Sequence, residues 1–311
     1  MNKIHDKTLQ DLEFSKVLTQ VSEICNTELG KESALQIKPF RKKEELFTSL
    51  HLTNEYLASF ENNNSIPPHY FDAISKEIQL LKIENTVIEV EGFKKIASIS
   101  VTVNNHILFY KKFHEYYPTL HLLAQEIEFT KEIQQQIEQV IDRFGEIKDD
   151  ASPSLFNIRK DMNLVRGKIN QSFAGALSSY ASAGLLDEIR ETVIDNRRVL
   201  AVKAMYRKRV KGAIMGNSKT GSIVYIEPEA TRHYNRELNN LEYEEKEEVQ
   251  KILKSLTNFI RDYRDLLIDY QAFLTRIDVV AAKAKYADKM NALLPKITEG
   301  RQFNIIDAYH P

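Results

Sequence analysis

Arg197, Arg198, Lys203, Arg207, Lys208, Arg209, Lys211 and Lys219 all fall between positions 195 and 220, where the only acid is Asp195. That segment carries +7, while the rest of the chain, with 35 basic and 43 acidic residues, carries −8. A chain with a net charge of only −1 has therefore gathered positive charge in one place. Arg and Lys clustered in this way neutralise phosphates and release the counterions condensed on a nucleic acid. Ser218, Thr220 and the backbone amides of Gly216–Gly221 add hydrogen-bonding groups suited to phosphate oxygens. Nothing in the segment specifies bases, so readout of backbone or shape is expected. The competing reading is a solvated strand face whose Lys and Arg block edge pairing. The scarcity of balancing acids within the segment argues against it.

Other chemistry finds little support. Gly216-Asn217-Ser218-Lys219-Thr220-Gly221-Ser222 superficially resembles a phosphate loop, but a nucleotide-binding loop needs Gly, four residues, then Gly-Lys-Ser/Thr leading into a helix. Here the second glycine precedes Ser222 and a strand pattern follows. His114 and His121 could share a helix face, yet no Cys or carboxylate is spaced to complete a metal site. Glu242, Glu244, Glu245, Glu247 and Glu248 read as a solvated helix face. No Ser/His/Asp or Cys/His arrangement stands out, so neither catalytic nor metal-binding residues are expected in these 311 residues. The single cysteine, Cys25, cannot form an internal disulfide and reads as a small buried hydrophobe. The N-terminus lacks an apolar signal core, and no run approaches the ~18 apolar residues of a membrane span. A cytoplasmic protein without a membrane partner is the expectation.

The elements that must position the basic segment are long helices. Residues 8–150 read as a helical body, with Leu9, Leu12, Val17, Val21 and Ile24 at near-helical spacing. Further helices are expected at 43–60, 91–113, 119–128 and 130–143, while 86–90 (TVIEV) leans towards β. Ser152-Pro153 is a good helix start, an N-cap followed by proline at the first helical position. Leu155, Ile158, Met162, Val165 and Ile169 then form a coiled-coil seam, continued by Phe173, Ala176, Tyr180 and Ala183. Gly167 and Gly175 interrupt its propensity, and Gly184 is placed to end it. After Pro228 the seam returns as Ile252, Leu256, Phe259, Tyr263, Leu266, Tyr270, Phe273, Ile277, Val280 and Ala284. Nothing between 229 and 290 breaks a helix on propensity grounds, which at ~1.5 Å per residue predicts a rod of roughly 90 Å. Between the rods, Val193-Ile194 and Val199–Ala204 predict strands joined near Asp195-Asn196. Ala213–Met215 and Ser222–Ile226 predict a second pair. The expected fold is mainly α: a helical core (1–150), an outgoing lever helix (151–189), a small inserted antiparallel β clamp (190–228), a returning lever helix (229–294) and a linker (295–311). The two levers must run antiparallel for the chain to leave and return.

That order resembles the core, lever and clamp of the MutS ATPases. The wording is closest to the second bacterial branch, which lacks the mismatch-reading N-terminal domain. Leu12-Glu13-Phe14-Ser15-Lys16-Val17-Leu18 and Glu28-Leu29-Gly30-Lys31 resemble that branch's opening. Gly145-Glu146-Ile147-Lys148-Asp149-Asp150-Ala151-Ser152 resembles the turn before its lever. Arg198-Val199-Leu200-Ala201-Val202-Lys203, Tyr225-Ile226-Glu227-Pro228 and Asn235-Arg236-Glu237-Leu238 resemble its clamp and return. Met215-Gly216 stand where the family usually has His-Asp. Ala308-Tyr309-His310-Pro311 resembles the stretch where the family's ATPase domain begins. The resemblance implies a dimeric parent ATPase that binds branched or mismatched DNA, restrains recombination or acts on collided ribosomes. It places ATP, magnesium and any C-terminal nuclease outside this stretch. Three readings follow: a DNA-binding lever and clamp, a coiled-coil spacer or dimerisation arm, and a contact module for ribosomal RNA.

Overall fold

The computed structural model describes residues 4–62, 64–298 and 304; Asn63 and the ATPase-like Ala308–Pro311 lie outside them. The fold is mainly α, with eleven α-helices, one 3-10 helix and a single four-stranded antiparallel sheet among the described residues. In chain order come α1 (Asp6–Asp11), α2 (Phe14–Ile24), α3 (Glu28–Leu35), α4 (Lys43–Ala58), α5 (Ser75–Lys82), α6 (Val90–Lys112), α7 (Pro118–Gln125), α8 (Glu132–Val140) and α9 (Pro153–Ser182). The strands are β1 (Leu186–Ile194), β2 (Arg197–Lys203), β3 (Gly212–Asn217) and β4 (Ile223–Pro228), and α10 (Glu229–Arg261) and α11 (Arg264–Lys289) follow. Two compact units result: Met1–Glu146 with Leu253–Pro311, and Ile147–Ile252.

The first unit is a helical bundle around α11, which packs against α2, α3, α4, α5 and α6. A helix in a bundle buries its apolar face, and α11 buries Leu267, Tyr270, Phe273, Leu274, Ile277, Val280, Ala281 and Ala284 while exposing Asp265, Asp269, Arg276 and Lys285. In its midst lies a carboxylate, Asp278, only 1% exposed. It accepts the backbone N–H groups of Asn26 and Thr27 (2.9 Å each) and the Thr27 hydroxyl at 2.6 Å, with His69 Nε2 at 3.1 Å. Thr27 also N-caps α3 by accepting the Gly30 N–H at 3.0 Å. Burial pushes the Asp278 carboxyl up, but the bonds from His69, Thr27 and the Asn26 and Thr27 amides outweigh it and hold the group below its ordinary 3.8. Cys25 is buried beside this hub, and burial followed by the nearby Asp278 charge pushes its thiol up to about 12.

Two sequence expectations need correction in this unit. The returning helix is not continuous: α10 ends at Arg261 and α11 starts at Arg264. Neither Pro nor Gly is responsible. Arg261 Nη1 donates to the carbonyls of Leu81 and Ile83 at the end of α5 (2.7 and 2.8 Å), and the Tyr263 hydroxyl bonds the Glu132 carboxylate. These anchors hold a tight turn in which Tyr263 N–H bonds the Ile260 carbonyl three residues back, so tertiary contacts override helix propensity. The β-leaning stretch 86–90 is not a strand either. Thr86 Oγ1 bonds the carbonyls of Leu80 and Ile83, and Ile88 N–H donates to Thr257 Oγ1, so side chains satisfy an extended segment before α6 begins.

In the second unit, α9 begins as expected, with Ser152 Oγ accepting the Leu155 N–H at 3.0 Å and Pro153 at the first position. Its buried residues, Leu155, Met162, Val165 and Phe173, lie on the expected seam. Glu248 accepts from Ser152 at 2.8 Å, Glu245 from Arg159 at 2.7 Å, and Lys168 lies over the Tyr234 ring, so α9 and α10 run antiparallel here. Two members of the acidic run are thus not merely solvated: they fasten the start of α9. Gly184, at φ +68°, ends the helix geometry and turns the chain into the sheet, whose order is β1-β2-β4-β3. Phe173, Leu185, Leu186, Leu200, Val202, Val210, Val224 and Ile226 form its core, with Leu177 and Tyr180 of α9 packed against it.

Two consequences can be measured. Asp278→Asn should lower the unfolding free energy by roughly 3 kcal/mol in urea at neutral pH, because its amide presents N–H to donors that need an acceptor. Because the folded carboxyl titrates below its unfolded value, its stabilisation is complete above about pH 4 and drains away as pH falls through the folded value. The variant should lack that acid-dependent part, and equal acid sensitivity in the two proteins would refute the assignment. In the second unit, a Cβ at Gly212 would lie 2.1 Å from the Glu227 carbonyl oxygen and 2.7 Å from Ile226 Cγ2, so Gly212→Ala should cost roughly 1–3 kcal/mol and speed hydrogen exchange in β3 and β4. No atom lies within 4 Å of a Cβ at Gly167 or Gly175, so alanine at either should instead stabilise by roughly 0.5–1 kcal/mol.

Candidate nucleic-acid interface

The basic segment folds as β2, a 3-10 helix (Ala204–Arg209), β3, and the loop leading to β4. The β1–β2 hairpin turns at Asp195-Asn196, both at positive φ (47° and 59°), the geometry a two-residue turn demands of such residues. Because β4 lies between β2 and β3, the chain from 204 to 211 must bypass a strand. Ala204, Tyr206 and Val210 hold that connection on the core, Val210 being buried. Its start is pinned by the Ala204 N–H donating to the Ser222 carbonyl at 2.9 Å. Its end is pinned where Lys211 N–H donates to the Tyr180 hydroxyl and Glu229 N–H to the Lys211 carbonyl.

The eight cations separate into two groups. Arg197 and Arg198 are half-buried and engaged inside the unit. Arg197 Nη1 donates to Glu227 Oε2 at 3.3 Å, and Glu227, only 3% exposed, also accepts from Asn235 at 2.6 Å. Arg198 donates to Glu191 from Nε and Nη2 (3.1 and 2.6 Å), reaches Asn170 at 3.4 Å, and stacks over Phe173 at 4.2 Å. The acids that balance these two arginines lie just outside the 195–220 window, which is why counting within it did not find them. Lys203, Arg207, Lys208, Arg209, Lys211 and Lys219 are exposed, and none forms a salt bridge among the described residues. Arg209 leans over the Tyr206 ring at 5.6 Å.

The Gly216–Gly221 stretch ends β3 and leads into β4 at one end of the sheet. Lys203 is registered opposite Ile223, so the loop sits beside the start of the 3-10 helix. Ser218 Oγ accepts the Ile223 N–H at 3.1 Å, and Ser218, Thr220 and Ser222 form a hydroxyl chain with spacings of 3.4 and 2.8 Å. Lys219, Thr220 and Ser222 are exposed on it. Since the loop connects antiparallel strands and no helix N-terminus follows it, it does not fit the triphosphate cradle of a nucleotide. The sequence reading missed the 3-10 helix, the first half of β1 and the buried acceptor Glu227. Only Leu185, just before β1, and Leu186, its first residue, offered a signal.

Elsewhere the described residues show little that could carry chemistry. They contain no group of three or more His, Cys, Asp and Glu able to hold a metal ion. His114 and His121 do meet, with ring centroids 5.7 Å apart, in a cavity lined also by Ile107, Lys111, Ala124 and Gln125. No helix among the described residues is long and apolar enough to cross a membrane.

No family model matches the chain. Curated proteins do. An endonuclease MutS2 from Geobacillus sp. (strain WCH70) is 28% identical over 310 residues, covering 99% of this chain and 40% of that protein. The endonuclease MutS2 of Finegoldia magna is 30% identical over 309 residues (98% and 39%), and that of Staphylococcus carnosus 27% over 314 residues (99% and 40%). The chain is therefore MutS2-related along nearly its whole length, and it spans about 40% of the length of the curated relatives it matches.

Proposed function

We propose that this chain is the lever and clamp portion of a MutS2-type protein and that its sheet binds DNA through the phosphate backbone. The observation that carries the reading is the row of unneutralised cations on one pinned connection. Lys203, Arg207, Lys208, Arg209 and Lys211 follow one another along the length of β4, six residues, or roughly 17–20 Å at strand rise. Double-stranded DNA offers a phosphate on each strand about every 3.4 Å of axis, so such a row can meet several at once. Lys219 with the Ser218 and Thr220 hydroxyls extends the row at the loop end, where hydroxyls suit phosphate oxygens. Arg197 and Arg198 act in this reading as positioning residues: they hold β2 in place through Glu227 and Glu191.

In the same reading α9 and α10 are the outgoing and returning levers. ATP hydrolysis with its magnesium and any nuclease activity belong, in this reading, to the part of the relatives' length that this chain does not span, and the full-length parent is a homodimer. A binding role without catalysis follows for these residues.

The test is a salt titration of binding to a DNA duplex. Replacing Arg207, Lys208 and Arg209 together by Ala should weaken binding by about 10²-fold or more at low salt, alike for all sequences, and lower the slope of log K against log salt by about 3. All three side chains are exposed, so circular dichroism should be unchanged. Unaltered affinity and slope would sink the clamp reading. Binding confined to RNA would also count against it, and would favour the ribosomal alternative.

A further inference from the structure

We infer that Met205 is the base-contacting residue of the clamp: it inserts against the bases of bound DNA while its cationic neighbours hold the phosphates. The inference rests on the DNA-binding reading above and adds to it a contact that phosphate binding alone does not require. Met205 is 79% exposed, more than any other described large apolar residue except Leu293. Single exposed apolar side chains are ordinary on protein surfaces, so exposure by itself carries nothing. What distinguishes Met205 is its setting. The backbone on either side is fixed, by the Ala204 N–H bond to the Ser222 carbonyl and by Tyr206 packing on the core. The side chain therefore projects from an anchored turn. It stands between Lys203 and the Arg207-Lys208-Arg209 run, cations without salt bridges among the described residues.

A polyanion drawn onto those cations must cover Met205 as well. An unbranched thioether gains nothing against charged phosphate oxygens, whose solvation it would only displace. It gains dispersion and hydrophobic contact against a base face or the floor of a groove. Apolar wedges, Met among them, enter the DNA minor groove between base steps in this way, flanked by cations on the phosphates. The length of Met and its three rotatable bonds suit such an entry without a preformed pocket.

The experiment uses the full chain and a DNA duplex carrying 2-aminopurine, whose fluorescence rises when its stacking is disturbed. Wild-type protein should raise the signal on binding. Met205→Ala should abolish the rise and weaken binding about tenfold, with the salt slope unchanged because no charge is lost. Met205→Leu, which keeps an apolar side chain of similar reach, should retain the rise. The Arg207, Lys208 and Arg209 triple variant should instead lose slope, and at protein concentrations high enough to saturate it should still raise the fluorescence. A wild-type complex that forms without any rise overturns the inference and leaves the phosphate-binding reading intact. So does a rise that persists in Met205→Ala. Failure of the wild-type chain to bind DNA at any salt concentration overturns both readings together.

Discussion

A buried carboxylate has to be matched by donors, because an unpaired charge in a protein interior is too costly to keep. Asp278 imposes that condition on the first unit. Its partners come from the turn between α2 and α3 and from His69, which in turn approaches the Tyr56 hydroxyl at 3.4 Å. Three separate stretches must therefore converge on the middle of α11, and the apolar surface around that helix closes over them. The condition also explains a glycine. A Cβ at Gly30 would lie 2.1 Å from Asp278 Oδ2, so only glycine lets α3 approach the carboxylate. Gly30 belongs to Glu28-Leu29-Gly30-Lys31, one of the stretches that resembles the family, and the likeness there has a packing cause.

The second unit repeats the device with Glu227, held by Arg197 and Asn235. Glu227 and Asn235 both belong to family-like stretches, Tyr225-Ile226-Glu227-Pro228 and Asn235-Arg236-Glu237-Leu238. Arg207, Lys208 and Arg209 belong to none. The buried network builds the sheet, and the exposed cations are carried on the connection that it supports. Both edges of the sheet are irregular. β1 has a register shift around Arg190, at φ +60°, and β3 has one between Ile214 and Gly216. Such bulges discourage pairing with other strands, which leaves the Lys and Arg of the connection unneeded for edge protection.

Much of this was legible in the residues. Ser152-Pro153, the 3-and-4 spacing after Leu155, Gly184, and Asp195-Asn196 each act locally, through a cap, a periodic seam or a positive φ. The helices and hairpin they imply are present. The misses were of a different kind. The break at Asp262-Tyr263 depends on Leu81, Ile83 and Glu132, far away in the chain. The pairing of Arg197 and Arg198 depends on Glu227 and Glu191, which a window of charge excludes although the fold brings them within reach. The 3-10 helix arises because β4 occupies the place beside β2, a fact of strand order that no local pattern encodes. Sequence showed where the positive charge was gathered. Only the fold separates the cations that hold the sheet from those left facing solvent.

The two units also differ in how their contacts are distributed along the chain. The second is one continuous stretch, Ile147–Ile252, whereas the first is assembled from two stretches that flank it. The bonds that seat Asp278 join residues separated by 252 positions at Asn26 and 209 at His69. A chain made from its N-terminus releases the whole inserted unit before Asp278 exists. The order of assembly is thereby set: the sheet and its flanking helices can form while the first eight helices wait for their central one. Once folded, the inserted unit brings its own two ends back together. The closure that finally seats α11 then costs less entropy than its sequence separation implies, because the intervening hundred residues no longer behave as a flexible loop.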